Sequence, residues 1–127
     1  MLGRHDIIGF VATADPARAR RFYEEILGLR LVEETPFATV FDANGIMVRV
    51  TPVPDHAPLP HTVLGWRVPD VAATAAALAG KGVAFERFAG LEQDAHGVWT
   101  SPDGNKVAWF KDPDGNLLSL TQFATPR

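Results

Sequence analysis

His5-Asp6-Ile7-Ile8-Gly9-Phe10 is answered further along the chain by His61-Thr62-Val63-Leu64-Gly65-Trp66. Asn44-Gly45-Ile46-Met47-Val48-Arg49-Val50-Thr51 is answered by Asp114-Gly115-Asn116-Leu117-Leu118-Ser119-Leu120-Thr121. The chain is written twice. A duplicated unit that cannot cover its own apolar face must bury it against its twin. Equivalent residues are therefore expected around a pseudo-two-fold axis, lining a shared cavity. The offset between copies is 56 residues at Ile8 and Leu64 but 70 at Arg49 and Ser119. The extra length falls mainly between Phe88 and Asn105, around Gln93-Asp94-Ala95-His96-Gly97-Val98-Trp99. An insertion at a sheet rim suits a lid or specificity loop, and equally a plain surface loop.

Within each copy the elements follow from local chemistry. Asp6 to Thr13 is apolar and β-branched, a first strand. Asp15-Pro16 reads as an N-cap with proline at the first helical position. Ala19, Phe22, Tyr23, Ile26 and Leu27 recur at helical spacing, and Gly28 ends the helix. Leu29 to Glu34 is a second strand, and Phe37 to Asp42 with Ile46 to Val53 a hairpin across Asn44-Gly45. The second copy repeats this with a strand Thr62 to Val68 and a helix from Asp70 to about Lys81, with Val71, Ala75, Leu78 and Ala79 inward. A strand Val83 to Phe88 and paired strands Lys106 to Lys111 and Asn116 to Phe123 complete it. Each half reads βαβββ, in modules of about 5–53 and 61–123 joined by a proline-rich linker, 54–60, within a single domain 1–127.

Composition sets the bounds. At 127 residues and 46% hydrophobic, the chain is long and apolar enough for a core without staples. Net charge is −3 and no basic run occurs, so no nucleic-acid partner is expected; Arg18, Arg20 and Arg21 read as a solvated helix face. The absence of cysteine excludes disulfides, thiolate metal sites and a cysteine nucleophile. With no signal-peptide pattern and no membrane-length apolar run, the expectation is a cytoplasmic protein with no membrane partner.

The stretch Asp15-Pro16-Ala17-Arg18-Ala19-Arg20-Arg21-Phe22-Tyr23-Glu24-Glu25-Ile26-Leu27-Gly28-Leu29 and the turn Phe110-Lys111-Asp112-Pro113-Asp114-Gly115-Asn116 resemble the vicinal-oxygen-chelate superfamily over nearly the whole chain. That superfamily includes glyoxalases, bleomycin-resistance proteins and extradiol dioxygenases. The resemblance implies an α+β fold: two βαβββ modules forming a cupped, mostly antiparallel eight-stranded mixed sheet. It also implies a homodimer. Enzymes of the family bind a divalent metal from four strand positions, which fall here on Ile8, Arg49, Leu64 and Ser119. Two hydrocarbons, a fixed cation and a hydroxyl are not a divalent-cation ligand set, so neither metal nor cofactor is expected. His5 and His61 lie three residues before Ile8 and Leu64. Strand parity turns them to the other face unless a bulge intervenes.

Alternation then assigns a cup lining. Ile46, Val48 and Val50, with Leu118 and Leu120, suit the faces under the helices. Ile8, Phe10, Ala12, Met47, Arg49 and Thr51 would line the cup, as would Leu64, Trp66, Val68, Leu117, Ser119, Thr121, Val107 and Trp109. The candidate ligand-binding residues are Phe10, Met47, Arg49, Trp66, Trp99, Trp109 and Ser119: aromatic surfaces, one guanidinium and a hydroxyl, the usual make-up of a small-molecule pocket. Arg49 would anchor an anion or carbonyl, or else pair with a nearby carboxylate or bend to the dimer rim. Three functions fit. One is a metal-free protein that binds a small organic molecule, anionic or aromatic. Another is a lyase, isomerase or dioxygenase with a displaced metal site or with His96, Asp94 and Glu92 as acid–base groups. The third is a scaffold whose partner is its own second copy.

Overall fold

The computed structural model describes residues 1–125, which form two compact units meeting between Pro58 and Leu59. In the first, β1 (Ile8–Thr13) leads to α1 (Pro16–Arg21), which runs on through a π-helical turn, Phe22–Ile26, to β2 (Arg30–Glu34), β3 (Thr39–Ala43) and β4 (Ile46–Pro52). In the second, β5 (Thr62–Arg67) and α2 (Val71–Gly80) precede β6 (Trp99–Thr100), β7 (Lys106–Lys111) and β8 (Leu117–Gln122). Each unit is βαβββ and each holds a four-stranded mixed sheet, ordered β1-β4-β3-β2 and β5-β8-β7-β6. The α+β class and the eight strands are as the sequence implies. In both sheets the first strand runs parallel to the last, and the remaining pairs are antiparallel.

The helices start where the sequence places their caps. Asp15 Oδ1 accepts the Arg18 N–H at 3.2 Å, and Asp70 Oδ1 accepts that of Ala73 at 3.0 Å. Each cap contributes about 1 kcal/mol by satisfying an end donor. The π-helical turn closes with Leu27 N–H on Phe22 carbonyl at 3.0 Å. It keeps Phe22 and Tyr23 buried together, with the Tyr23 ring 6.0 Å from that of Phe41 on β3. Val11, Val48 and Val50 complete this core. In the second unit Val71 and Ala75 of α2 are buried with Ala108, Phe110, Leu118 and Leu120. Leu78 is half-buried, and Ala79, expected inward, is exposed because it falls past the edge of that stripe. Ile46, expected beneath the first helix, is also exposed, being the terminal residue of its strand.

The turn between β7 and β8 is a buried polar device. Asp112 is buried; its Oδ1 accepts the N–H groups of Asp114 and Asn116, each at 2.9 Å, and its Oδ2 accepts Asn116 Nδ2 at 2.8 Å. Gly115, at φ 83°, takes the left-handed position that closes the turn. The Asp-Pro-Asp-Gly-Asn run is thus a carboxylate caging its own loop.

Two further expectations are corrected. The strand anticipated at Val83 to Phe88 is reduced to one bridge, Phe85 to Phe110, and the edge partner of β7 is instead β6. The inserted residues interrupt that edge, so the backbone leaves β7 after Glu86 and returns at Trp99. Also, β5 carries a bulge: Thr62 pairs with Leu117 but Leu64 with Leu118. One extra residue reverses the facing of everything beyond it. Leu64, Trp66 and Val68, expected in the cup, therefore share the face of Leu118 and Leu120, which carry the helix.

Candidate functional site

In the first unit the face opposite the helix is assembled as alternation requires. The parallel register sets Ile8 beside Met47, Phe10 beside Arg49 and Ala12 beside Thr51. Residues in register share a face, and Val48 and Val50 between them point into the core. The structure thus brings Phe10, Met47 and Arg49 together. Phe10 is 64% exposed and Met47 39%, a large apolar surface for a sheet face to show. The Arg49 guanidinium touches Met47 Sδ at 4.0 Å, and no carboxylate among the described residues pairs with it. Among the described residues the salt bridge is therefore not formed. Its donors stay half-exposed, where they are open to an anion or carbonyl. Beside this face lies a cavity of about 320 Å³ lined by Ile8, Val32, Val40 and Met47, with the Asp6 and Asp42 carboxylates at hand.

In the second unit the face opposite the helix is fixed by β8. Gln122 marks the helix side, because its Oε1 accepts the Val71 N–H at the start of α2 at 3.0 Å. Ser119 points the other way, in register with Trp109 on one side and Gly65 on the other. Trp99 pairs with Val107 on the same face, and its ring lies 6.3 Å from that of Trp109. Phe88 meets Trp109 edge-on at 5.3 Å. Trp99, Trp109 and Ser119 are therefore together. Trp66 is not among them: it stacks on Phe110 at 6.4 Å, on the helix side of the sheet. The bulge puts Gly65 and Arg67 where Leu64 and Trp66 were expected. The Arg67 guanidinium lies over the Phe123 ring at 5.7 Å, beside a cavity of about 400 Å³. The signal for this exchange is in the sequence: the capping aspartates Asp15 and Asp70 are 55 residues apart, one fewer than the strand echo before them.

The insertion is a tied loop. The Gln93 side chain spans it, Nε2 donating to the Glu86 and Gly97 carbonyls at 2.8 Å each and Oε1 accepting the Phe88 N–H at 2.8 Å. Arg87 donates to the Asp94 carbonyl at 2.7 Å. Asp94 Oδ1 accepts the His96 and Val98 N–H groups at 2.9 Å each. Asp94 is thus engaged in holding the loop, while His96 and Glu92 are exposed. No acid–base constellation joins the three. A broad groove of about 770 Å³ runs beside Glu92, Asp94 and Trp99.

The four positions that hold metal in the resembling enzymes do not fit a divalent ion here. Ile8 and Leu64 offer no lone pair, Arg49 is a fixed cation, and a lone Ser119 hydroxyl is a weak ligand. Leu64 is moreover turned to the helix side. Among the described residues no group of three or more His, Cys, Asp or Glu could hold a metal ion. Nor does any helix among them have the length and apolarity to cross a membrane.

A family model, the glyoxalase/bleomycin resistance protein/dioxygenase superfamily, matches residues 6–120. No curated protein matches. Among solved structures, the bleomycin resistance determinant encoded on transposon Tn5 is similar at TM-score 0.74 and 21% identity, covering 95% of this chain and 99% of that one. TnmS3, an antibiotic binding protein from a Streptomyces species, aligns at TM-score 0.71 and 27% identity over 93% and 94%. Lactoylglutathione lyase from Agrobacterium tumefaciens aligns at 0.72 and 16% over 93% and 92%.

Proposed function

The chain belongs to the glyoxalase/bleomycin resistance protein/dioxygenase superfamily, and from that premise we propose that it is a metal-free member that binds a small organic molecule. The observation that carries this reading is Arg49. It stands at a metal-ligand position, beside the exposed ring of Phe10 and the Met47 thioether, without a carboxylate partner among the described residues. A cation there repels a divalent ion and attracts an anionic or carbonyl group, and the apolar neighbours give the rest of a ligand somewhere to lie. The aromatic group Trp99, Trp109 and Phe88 offers a second such surface. The binding of an antibiotic by TnmS3, the most similar in sequence of the three structures compared, favours the same reading. A cytoplasmic homodimer belongs to this proposal as well.

Two measurements test it. Elemental analysis of protein purified without chelator is expected to find no stoichiometric zinc, nickel, manganese or iron. Titration with small aromatic carboxylates, followed by tryptophan fluorescence, is expected to saturate. Arg49→Ala should weaken that binding roughly tenfold, the worth of a charge-assisted hydrogen bond. Stoichiometric metal whose removal abolishes binding would overturn the proposal.

A further inference from the structure

Gly65 lies inside β5, in register with Ser119, where its φ is not in the left-handed range. The backbone there does not demand glycine, and glycine weakens a strand interior. A Cβ at this position would meet Ser119 Oγ at 2.7 Å and would otherwise come no closer than 3.5 Å to a neighbouring atom. What glycine preserves is the space over one hydroxyl. That hydroxyl belongs to a side chain only 9% exposed, and it makes no hydrogen bond among the described residues. It is not sealed in, because no buried side-chain oxygen or nitrogen in the described structure lacks a partner. A nearly buried, unpartnered O–H that faces a glycine is a polar group awaiting an acceptor.

On the far side of Ser119, in register, stands Trp109, walled by Trp99 and Phe88. Cross-strand neighbours on one face have their side chains roughly 5 Å apart. A flat ring lying on the Trp109 indole thus reaches the Ser119 hydroxyl with an oxygen on its edge. We propose that Gly65, Ser119 and Trp109 form a recognition element for planar conjugated molecules bearing a carbonyl oxygen, and that Gly65 sets this specificity by leaving the Ser119 hydroxyl uncovered. This rests on the small-molecule reading above and names the ligand class for its second surface. The ring stacks on the indole and the Ser119 O–H donates to the carbonyl.

The test uses two probes of nearly one shape, 9-fluorenone-2-carboxylate and fluorene-2-carboxylate, which differ by a ring carbonyl against a methylene. Binding is followed by tryptophan fluorescence. The wild-type protein should prefer the ketone roughly fivefold, about one net hydrogen bond. Ser119→Ala should erase that preference by weakening the ketone alone. Gly65→Ala should do the same by covering the hydroxyl, with far-UV circular dichroism unchanged; should it not fold, Ser119→Ala carries the test. Equal wild-type affinities, or a preference that survives Ser119→Ala, would overturn the recognition element and leave the small-molecule reading standing. Failure of the wild-type protein to bind either probe would overturn both.

Discussion

The two edge strands are the place to compare the halves of this molecule. In the first unit β2 runs without a break, Arg30 to Glu34 against β3 apart from one irregularity. In the second, the corresponding edge is cut in two, with Phe85 bridging Phe110 and Trp99–Thr100 pairing with Val107 and Lys106. Residues 87–98 loop out between the pieces. Both copies keep the inner strands, the capped helix and the parallel closure. The duplicated plan therefore fixes the order of strands, and its largest divergence falls on an edge that has only one neighbour. The loop that results brings both Phe88 and Trp99 against Trp109. A break in a sheet edge has become an aromatic wall.

The two halves differ also in how their hairpin turns are held. In the first unit Asp42 Oδ2 reaches the Gly45 N–H at a long 3.4 Å, and Asn44-Gly45 closes the turn by backbone conformation, at φ 52° and 93°. In the second, buried Asp112 accepts three hydrogen bonds within its own turn. Asp112→Ala strands two backbone donors and an amide in a buried place, and should cost about 3 kcal/mol. Asp42→Ala should cost no more than about 0.5 kcal/mol. Urea unfolding of both variants checks the contrast. Equal losses would show that the two turns are held in the same way.

The next largest effect tests the wall itself. The Gln93 side chain ties the two ends of the loop to each other, through Glu86 and Phe88 on one side and Gly97 on the other. Gln93→Glu removes both donors and sets a carboxylate against the Glu86 and Gly97 carbonyls, for a loss of about 2 kcal/mol. The near-ultraviolet dichroism of the Trp99–Trp109 pair should collapse with it. A retained signal would mean that the wall does not depend on the tie.

These two regions also show how far the sequence could be read. The βαβββ plan was legible because its determinants are local: an aspartate before each helix, glycine in each hairpin, apolar residues alternating on Val48-Arg49-Val50 and Leu118-Ser119-Leu120. Alternation on β4 and β8 therefore matches the observed register, which sets Met47, Arg49 and Ser119 on the faces opposite the helices. Trp66 faces the other way, because the bulge in β5 adds a residue between His61 and Trp66. Counting back from Asp70 instead, as Asp15 invites, turns Gly65 and Arg67 outward. The broken edge was not legible at all. Hydrogen bonds drawn from a glutamine side chain leave no periodicity, and Val83 to Phe88 alternates well enough to pass for a strand.

Where the halves use the same device, they should respond alike. Asp15→Ala and Asp70→Ala each remove one N-cap acceptor at similar distance, 3.2 and 3.0 Å. Each should cost about 1 kcal/mol. α2 has a second end contact, from Gln122 to the Val71 N–H, so Asp70→Ala is expected at the low end of that range. A larger loss at Asp70 would place the weight of the second helix on its cap rather than on its buried face.

The smallest effect lies in the turn between β6 and β7, whose counterpart in the first unit, Thr35-Pro36-Phe37-Ala38, is also tied by a hydroxyl but carries no carboxylate. In Ser101-Pro102-Asp103-Gly104 the Ser101 hydroxyl donates to Asp103 Oδ1, and this bond holds the Asp103 carboxyl below its ordinary value, helped by a backbone hydrogen bond. A carboxylate whose folded value is depressed adds stability above its unfolded value and loses it as pH falls through the folded one. Asp103 should therefore titrate on the acid side of a free aspartate by carbon-detected NMR, and Ser101→Ala should move it back up. Because the group is fully exposed, the accompanying change in unfolding midpoint is expected to be barely measurable, and only in acid. A midpoint that responded strongly near neutrality would require another titrating group. It would also make this outer turn matter to the second unit as the Asp112 turn does, which its exposure argues against.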